Sequence, residues 1–263
     1  MKTQSLLILL FFCCQGFSQV SVDPRHVAKP KKFEKGTFEK FKNTETIFVL
    51  SNIYDKATYE KILKASWTVT PFRIVNIKDF NIEDYLNDNY SIAQLSAHKR
   101  IIKSEGSYST AQLYTYIDFK LYNNEVIFEK INKLSPVEKA KKKEKIINNH
   151  EIRVARFNLF RKDDFINSKY QNMETIIASM YSKDFFFNYK PGFLKNYFQK
   201  VNNLIEKEEQ YWMFEDDYLL ELKELSRNKL YIPSYTAIKH NGWTAPYRET
   251  DYEKIKELAV FNP

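Results

Sequence analysis

The spacing of apolar residues changes several times along the chain, and each change predicts an element. Residues 44–51, TETIFVLS, form a β-branched and aromatic run of the kind that fills a buried strand. Tyr59, Ile62, Leu63 and Trp67 then recur at helical spacing, with Asp55 placed to cap the start and Pro71 placed to end the helix. FRIVNI, residues 72–77, reads as a second strand, and Asp79 to Leu86 as a short helix. Strand, helix, strand, helix predicts an α/β layer whose right-handed crossover makes the first two strands parallel.

The middle of the chain changes character. In AQLYTYIDFKL, residues 111–121, Leu113, Thr115, Ile117, Phe119 and Leu121 share one face, while Gln112, Tyr114, Tyr116, Asp118 and Lys120 share the other. That alternation predicts a strand with one wet face. Asn123-Asn124 followed by EVIFEK predicts a tight turn and an antiparallel partner. A lysine-rich helix or loop, residues 136–147, leads to EIRVARFNLF, whose apolar phase slips near Ala155, as a β-bulge would make it do.

Residues 164–225 then read as helical. Met173, Ile176, Ile177 and Met180 line one face, and Leu194, Tyr197, Phe198, Val201 and Ile205 line another, with Pro191-Gly192 between them. LYIPSYTAIKH, Asn241-Gly242 and WTAPY predict a closing hairpin, and a last helix starts near Asp251. The fold class expected is α/β, mixed α+β: a twisted mixed sheet with parallel N-terminal strands, antiparallel hairpins, flanking helices and a helical segment near 164–225.

The beginning of the chain carries an address. Lys2, the apolar run Leu6 to Phe12, and small residues at Gly16 and Ser18 match a secretory signal peptide over residues 1–18. Cleavage between Ser18 and Gln19 removes Cys13 and Cys14. Lipidation of either cysteine is disfavoured, because Leu10, Phe11 and Phe12 stand where small residues are needed. A chain trimmed at Ser18 has no thiol, hence no disulfide, no cysteine-based zinc site and no thiolate nucleophile. Residues 19–43, with two prolines and many lysines, read as an extended lead-in, and residues 44–263 as one α/β domain carrying the helical insertion. The expectation is an exported protein, periplasmic, outer-membrane associated or secreted, with no transmembrane segment once the signal is removed.

Composition sharpens this picture in two ways. Eighteen Tyr and 21 Phe beside five Gly point to an ordered, aromatic core. The formal charge of +8 falls to +7 when Lys2 leaves, which favours anionic neighbours. For an exported chain the partner expected is an envelope protein or an anionic glycan, and not nucleic acid.

The stretch IFVLSNIYDKATYEKILKASWTVTPFRIVNIKDF, together with LYIPSYTAIKHNGWT near the end, resembles a family of exported proteins from Bacteroidetes-type bacteria that has no established activity. The resemblance implies export and an α/β fold, with Trp67 anchoring a helix and Pro71 stopping it. It carries over no catalytic residue.

Candidate chemistry is sparse. His26, His98, His150 and His240 stand far apart in the chain, without metal-ligand spacing, and no cofactor is expected. No G-x-S-x-G elbow, P-loop or G-x-G-x-x-G occurs, and Ser226 with Lys229 lacks the companions that an S-x-x-K nucleophile requires. Asp216 and Asp217 follow the aromatic run YWMF, yet adjacent residues point apart and do not make a glycosidase pair by themselves. Charge is more telling: nine Lys or Arg face three Glu between Val137 and Lys162, whereas eight acids face two lysines between Glu206 and Glu224. The binding residues expected are Lys141, Lys142, Lys143 and Lys145 of the basic block, with His240, Trp243 and Tyr247 of the closing hairpin. The leading reading is a non-enzymatic binder of an envelope component. The competing one is a hydrolase acting on glycans or peptides through carboxylates that the fold assembles.

Overall fold

The computed structural model describes residues 20–26, 29–103, 109–161 and 172–213, with side chains left out over 101–112. Two compact units divide the chain, Met1–Met213 and Phe214–Pro263, and all described residues belong to the first. The signal peptide, the closing hairpin with His240, Trp243 and Tyr247, and the helix near Asp251 lie outside the described residues.

The described unit is mixed α and β. Its strands are β1 (Val20–Ser21), β2 (Glu45–Val49), β3 (Phe72–Ile74), β4 (Tyr90–Lys103), β5 (Ser109–Tyr122) and β6 (Glu151–Leu159). Its helices are α1 (Thr37–Lys42), α2 (Lys56–Lys64), α3 (Asn124–Asn132), α4 (Pro136–Asn149), α5 (Met173–Ser182) and α6 (Pro191–Glu206), and a 3₁₀ turn covers Ile82–Tyr85. The sheet runs β1-β6-β5-β4-β2-β3, with β2 parallel to β3 and β4 and the remaining pairs antiparallel.

Several elements form where the sequence places them. Asp55 caps α2 by accepting from the Thr58 amide at 2.8 Å. β2 and β3 are parallel, as the crossover requires. In β6 the register moves from Phe119↔Ala155 to Lys120↔Arg153, so Val154 is the extra residue of a bulge at the predicted slip. Ile176 and Met180 of α5, and Leu194, Tyr197, Phe198, Val201 and Ile205 of α6, are buried.

Other elements differ. Asn123 has a φ of −83° and accepts from the Val126 amide, so it caps α3 instead of turning a hairpin. Ile127 and Ile131, one turn apart and buried, give EVIFEK its helical reading. The antiparallel partners of β5 are β4 and β6. Helix α2 stops at Lys64, before Pro71, and the Ser66 hydroxyl donates to the Ile62 carbonyl at 2.7 Å. The lead-in is not extended throughout, since α1 closes it.

One row across the sheet explains the core. Ile74, Phe48, Ala93, Phe119 and Ala155 are register partners on successive strands from β3 to β6. Phenylalanine alternates with alanine, so each methyl leaves room for the rings beside it. Phe48 and Phe119 meet at 6.1 Å, and Phe198 of α6 closes on both at 5.4 and 6.4 Å. Trp67 stacks on Phe119 at 5.2 Å and presents itself edge-to-face to Phe48 at 5.3 Å. Its indole N–H donates to Thr70, whose hydroxyl meets Thr46, which in turn meets Ser91. That hydroxyl chain satisfies the polar atoms buried among the rings.

Phe119→Ala should therefore cost about 3–5 kcal/mol by leaving a cavity under Trp67. Ala93→Leu should cost about 1–3 kcal/mol by overpacking the same row. Urea unfolding of the two variants, followed by near-UV circular dichroism, checks both.

Candidate functional site

The opposite face of β5 is the one that alternation marks as wet, and the structure corrects that expectation at its centre: Tyr114 is 40% exposed, but Tyr116 and Asp118 are buried at 7% and 1% exposure. Asp118 lies across from Arg156 in β6 and accepts from its Nε and, at 2.9 Å, from its Nη2. The Arg156 guanidinium carbon sits 3.4 Å from the centre of the Tyr116 ring, a stacked cation–π contact. Lys120 reaches Glu151 at 2.8 Å and Asp118 at 3.8 Å. Glu151 also accepts from Arg153 Nε at 2.8 Å and Nη2 at 2.7 Å. Three cations thus share two carboxylates.

The bulge makes this cluster possible. Arg153 and Arg156 are an odd number of residues apart, so in a regular strand they would point to opposite faces. Val154, inserted without a partner, brings both guanidinium groups to the charged side.

Burial and neighbours set the protonation states here. Burial alone would lower the Lys120 pKa, but Asp118 and then Glu151 outweigh it, so the ammonium holds its proton more tightly than a free lysine. Burial raises the Tyr116 and Tyr122 hydroxyls, which stay protonated.

His26 completes the cluster. Asp23 fixes its segment by accepting from the Arg25 amide at 2.7 Å, the Lys31 amide at 3.3 Å and Gln210 Nε2 at 3.2 Å. The imidazole is 3% exposed and neither ring nitrogen has a hydrogen-bond partner among the described residues. Burial, then Arg156 and Arg153, push its pKa down to about 2, so the ring is neutral.

The basic block lies elsewhere, on α4. Ser135 and Glu138 form a capping box at its start, which with Pro136 makes this stretch a helix and not a loop. The structure separates the four predicted lysines into two kinds. Lys142 pairs with Glu138 at 2.8 Å and Lys143 with Glu83 of the 3₁₀ turn at 2.5 Å. Lys141 and Lys145, one turn apart, are exposed and have no ion-pair partner among the described residues. Val137 precedes them on the same face at 67% exposure. Of the other histidines, His150 Nδ1 lies 2.7 Å from the Ile146 carbonyl and Nε2 lies 2.9 Å from Lys130 Nζ. Among the described residues no cluster of His, Cys, Asp or Glu is arranged to hold a metal ion, and no helix is long and apolar enough to cross a membrane.

Comparison with protein-family models, with curated proteins and with solved structures found no match to this chain.

Two measurements test the buried cluster. Asp118→Asn leaves Arg156 uncompensated in the interior and should cost about 3–5 kcal/mol in urea unfolding. His26 gives a pH signature. Its folded pKa lies below the unfolded value of roughly 6.5, so the folded state binds fewer protons, and stability falls as pH drops from that value toward about 2. The slope is about half of 1.4 kcal/mol per pH unit at pH 6.5 and approaches the full value below pH 5.5, which makes roughly 2 kcal/mol between pH 6.5 and 4.5. Burial holds the Asp23 carboxyl above its ordinary range, an effect of opposite sign. His26→Phe keeps Asp23, so the difference between wild type and variant across that range isolates the histidine.

Proposed function

We propose that the protein is an exported, non-enzymatic binding module that docks on an acidic protein surface or anionic glycan of the cell envelope through the exposed face of α4. The observation that carries this reading is the sorting of the lysines. Glu138 and Glu83 neutralise Lys142 and Lys143, whereas Lys141 and Lys145 keep their charge for an external anion. Val137 adds an apolar step to the same face, so a partner gains burial as well as Coulomb attraction there.

The state of the buried acids supports binding over hydrolysis. A hydrolase of glycans needs two carboxylates, one of them free to donate a proton to the substrate. Asp118 and Glu151 are the carboxylates that the sheet gathers, and both are held by Lys120 and by an arginine. Saturated and buried, they form a structural lattice.

Cross-linked pull-downs from the cell envelope test the proposal. Lys141→Ala with Lys145→Ala should lower recovery of the partner about tenfold, which corresponds to about 1.4 kcal/mol. Lys142→Ala with Lys143→Ala should change recovery by less than about threefold, because those ammonium groups are already paired. Equal recovery by the first variant and the wild type would show the lysine face to be a solubilising surface only.

A further inference from the structure

The described sheet ends at β3, which has no strand partner on its far side among the described residues. Its bonds to β2 can be followed residue by residue. The Pro71 carbonyl accepts from the Thr46 amide at 2.8 Å, and the Val75 amide donates to the Phe48 carbonyl at 2.9 Å. Residues 71, 73 and 75 therefore face β2, and by alternation Phe72 and Ile74 turn their N–H and C=O groups outward. Among the described residues nothing hydrogen-bonds to those outward groups.

A groove of about 680 Å³ runs beside this edge, between β3 and helix α2. Its walls include Phe72, Ile74 and Trp67 from the sheet side and Lys56, Glu60 and Lys64 from the helix. An edge strand flanked by a helix, with an apolar floor between them, is the setting in which an extended peptide adds as a new strand. The main chain of such a peptide would meet the outward groups of Phe72 and Ile74, and alternate side chains would enter the groove.

We propose that the β3 edge binds an extended segment of another protein in which acidic and apolar residues alternate. Charge selects this occupant. Two cations of α2, Lys56 and Lys64, flank the groove against one anion, Glu60, whereas the Arg73 guanidinium turns to the other face of β3 and is held by Glu45 at 2.8 Å. Lys56 has no ion-pair partner among the described residues, and the exposed Lys64–Glu60 contact at 3.5 Å is weak enough to exchange for another carboxylate. A second copy of this chain is disfavoured, because antiparallel pairing of β3 with itself would bring like-charged walls together. The edge is short and Pro71 bounds it, so the binding expected is micromolar or weaker. This surface shares no residue with the lysine face of α4 and does not depend on it.

The test uses the whole protein and a fluorescein-labelled decapeptide of alternating valine and glutamate, with a valine–lysine decapeptide as control. The valine–glutamate peptide should bind saturably in anisotropy titrations and slow hydrogen exchange at the Phe72 and Ile74 amides. Ile74→Pro removes one outward donor without touching a bond to β2 and should weaken binding about tenfold or more. Lys56→Glu with Lys64→Glu, two exposed substitutions that leave the fold intact, should weaken it to a similar degree. Lys141→Ala with Lys145→Ala should bind the peptide as the wild type does. Failure of the valine–glutamate peptide to bind, equal binding of the valine–lysine peptide, or binding indifferent to the Lys56 and Lys64 reversal overturns the proposal. So does a concentration-dependent dimer in sedimentation that Ile74→Pro abolishes, because the occupant would then be a second copy.

Discussion

Asp118 and Arg156 face each other across β5 and β6 with almost no access to water, and much of the described unit is arranged around that fact. A buried ion pair adds little net stability, since desolvation offsets the attraction. Its effect is on register. A slip of one residue would turn Asp118 toward the aromatic core and Phe119 toward the guanidinium groups, exposing every charge in the row to an apolar partner. The pair and the Phe/Ala row on the opposite face therefore exclude the same wrong pairings from two sides. The bulge at Val154 extends the constraint by bringing Arg153 to the charged side, where Glu151 and Lys120 receive it.

The result is a sheet whose centre is buried on both faces, with opposite chemistry on each. On one, rings from β2, β5, α6 and the turn after α2 interlock around two alanines. On the other, carboxylates, guanidinium groups and an ammonium satisfy one another, with a neutral histidine among them. Surfaces free for recognition lie at the periphery, on the outward turn of α4 and along the open edge of β3. Each presents an exposed lysine without an ion-pair partner among the described residues, Lys141 and Lys145 on α4 and Lys56 beside β3, in keeping with the positive balance of the whole chain.

How much of this was legible depended on what each pattern reports. Asp55 and the spacing of Tyr59, Ile62 and Leu63 are local, so α2 and its cap could be read directly. The phase slip in β6 was also local, and it marked the bulge. The long strand β4 escaped notice because Ile92, Ala93 and Leu95 are buried on both faces, which erases the alternation that a half-exposed strand shows. Asn123-Asn124 misled because asparagine serves both tight turns and helix caps, and only the following isoleucine spacing separates them. The basic block was visible as a cluster. Its division into paired and unpaired lysines was not, because Glu83 comes from a segment 60 residues earlier in the chain.

The amino-acid sequence by itself determined the local choices: caps, the parallel opening of the sheet, the bulge, the apolar faces of the C-terminal helices, and the chemistry available to the chain. Those depend on neighbours within a few positions, where period and propensity act. Tertiary structure alone decided which polar face stayed wet, which lysines kept their charge and which strand was left at the edge. Solvation and ion pairing are properties of whatever packs against a residue, and in this chain that material comes from distant segments: Asp118 finds Arg156 38 residues on, and the Ser51 amide finds the Tyr189 hydroxyl 138 residues away.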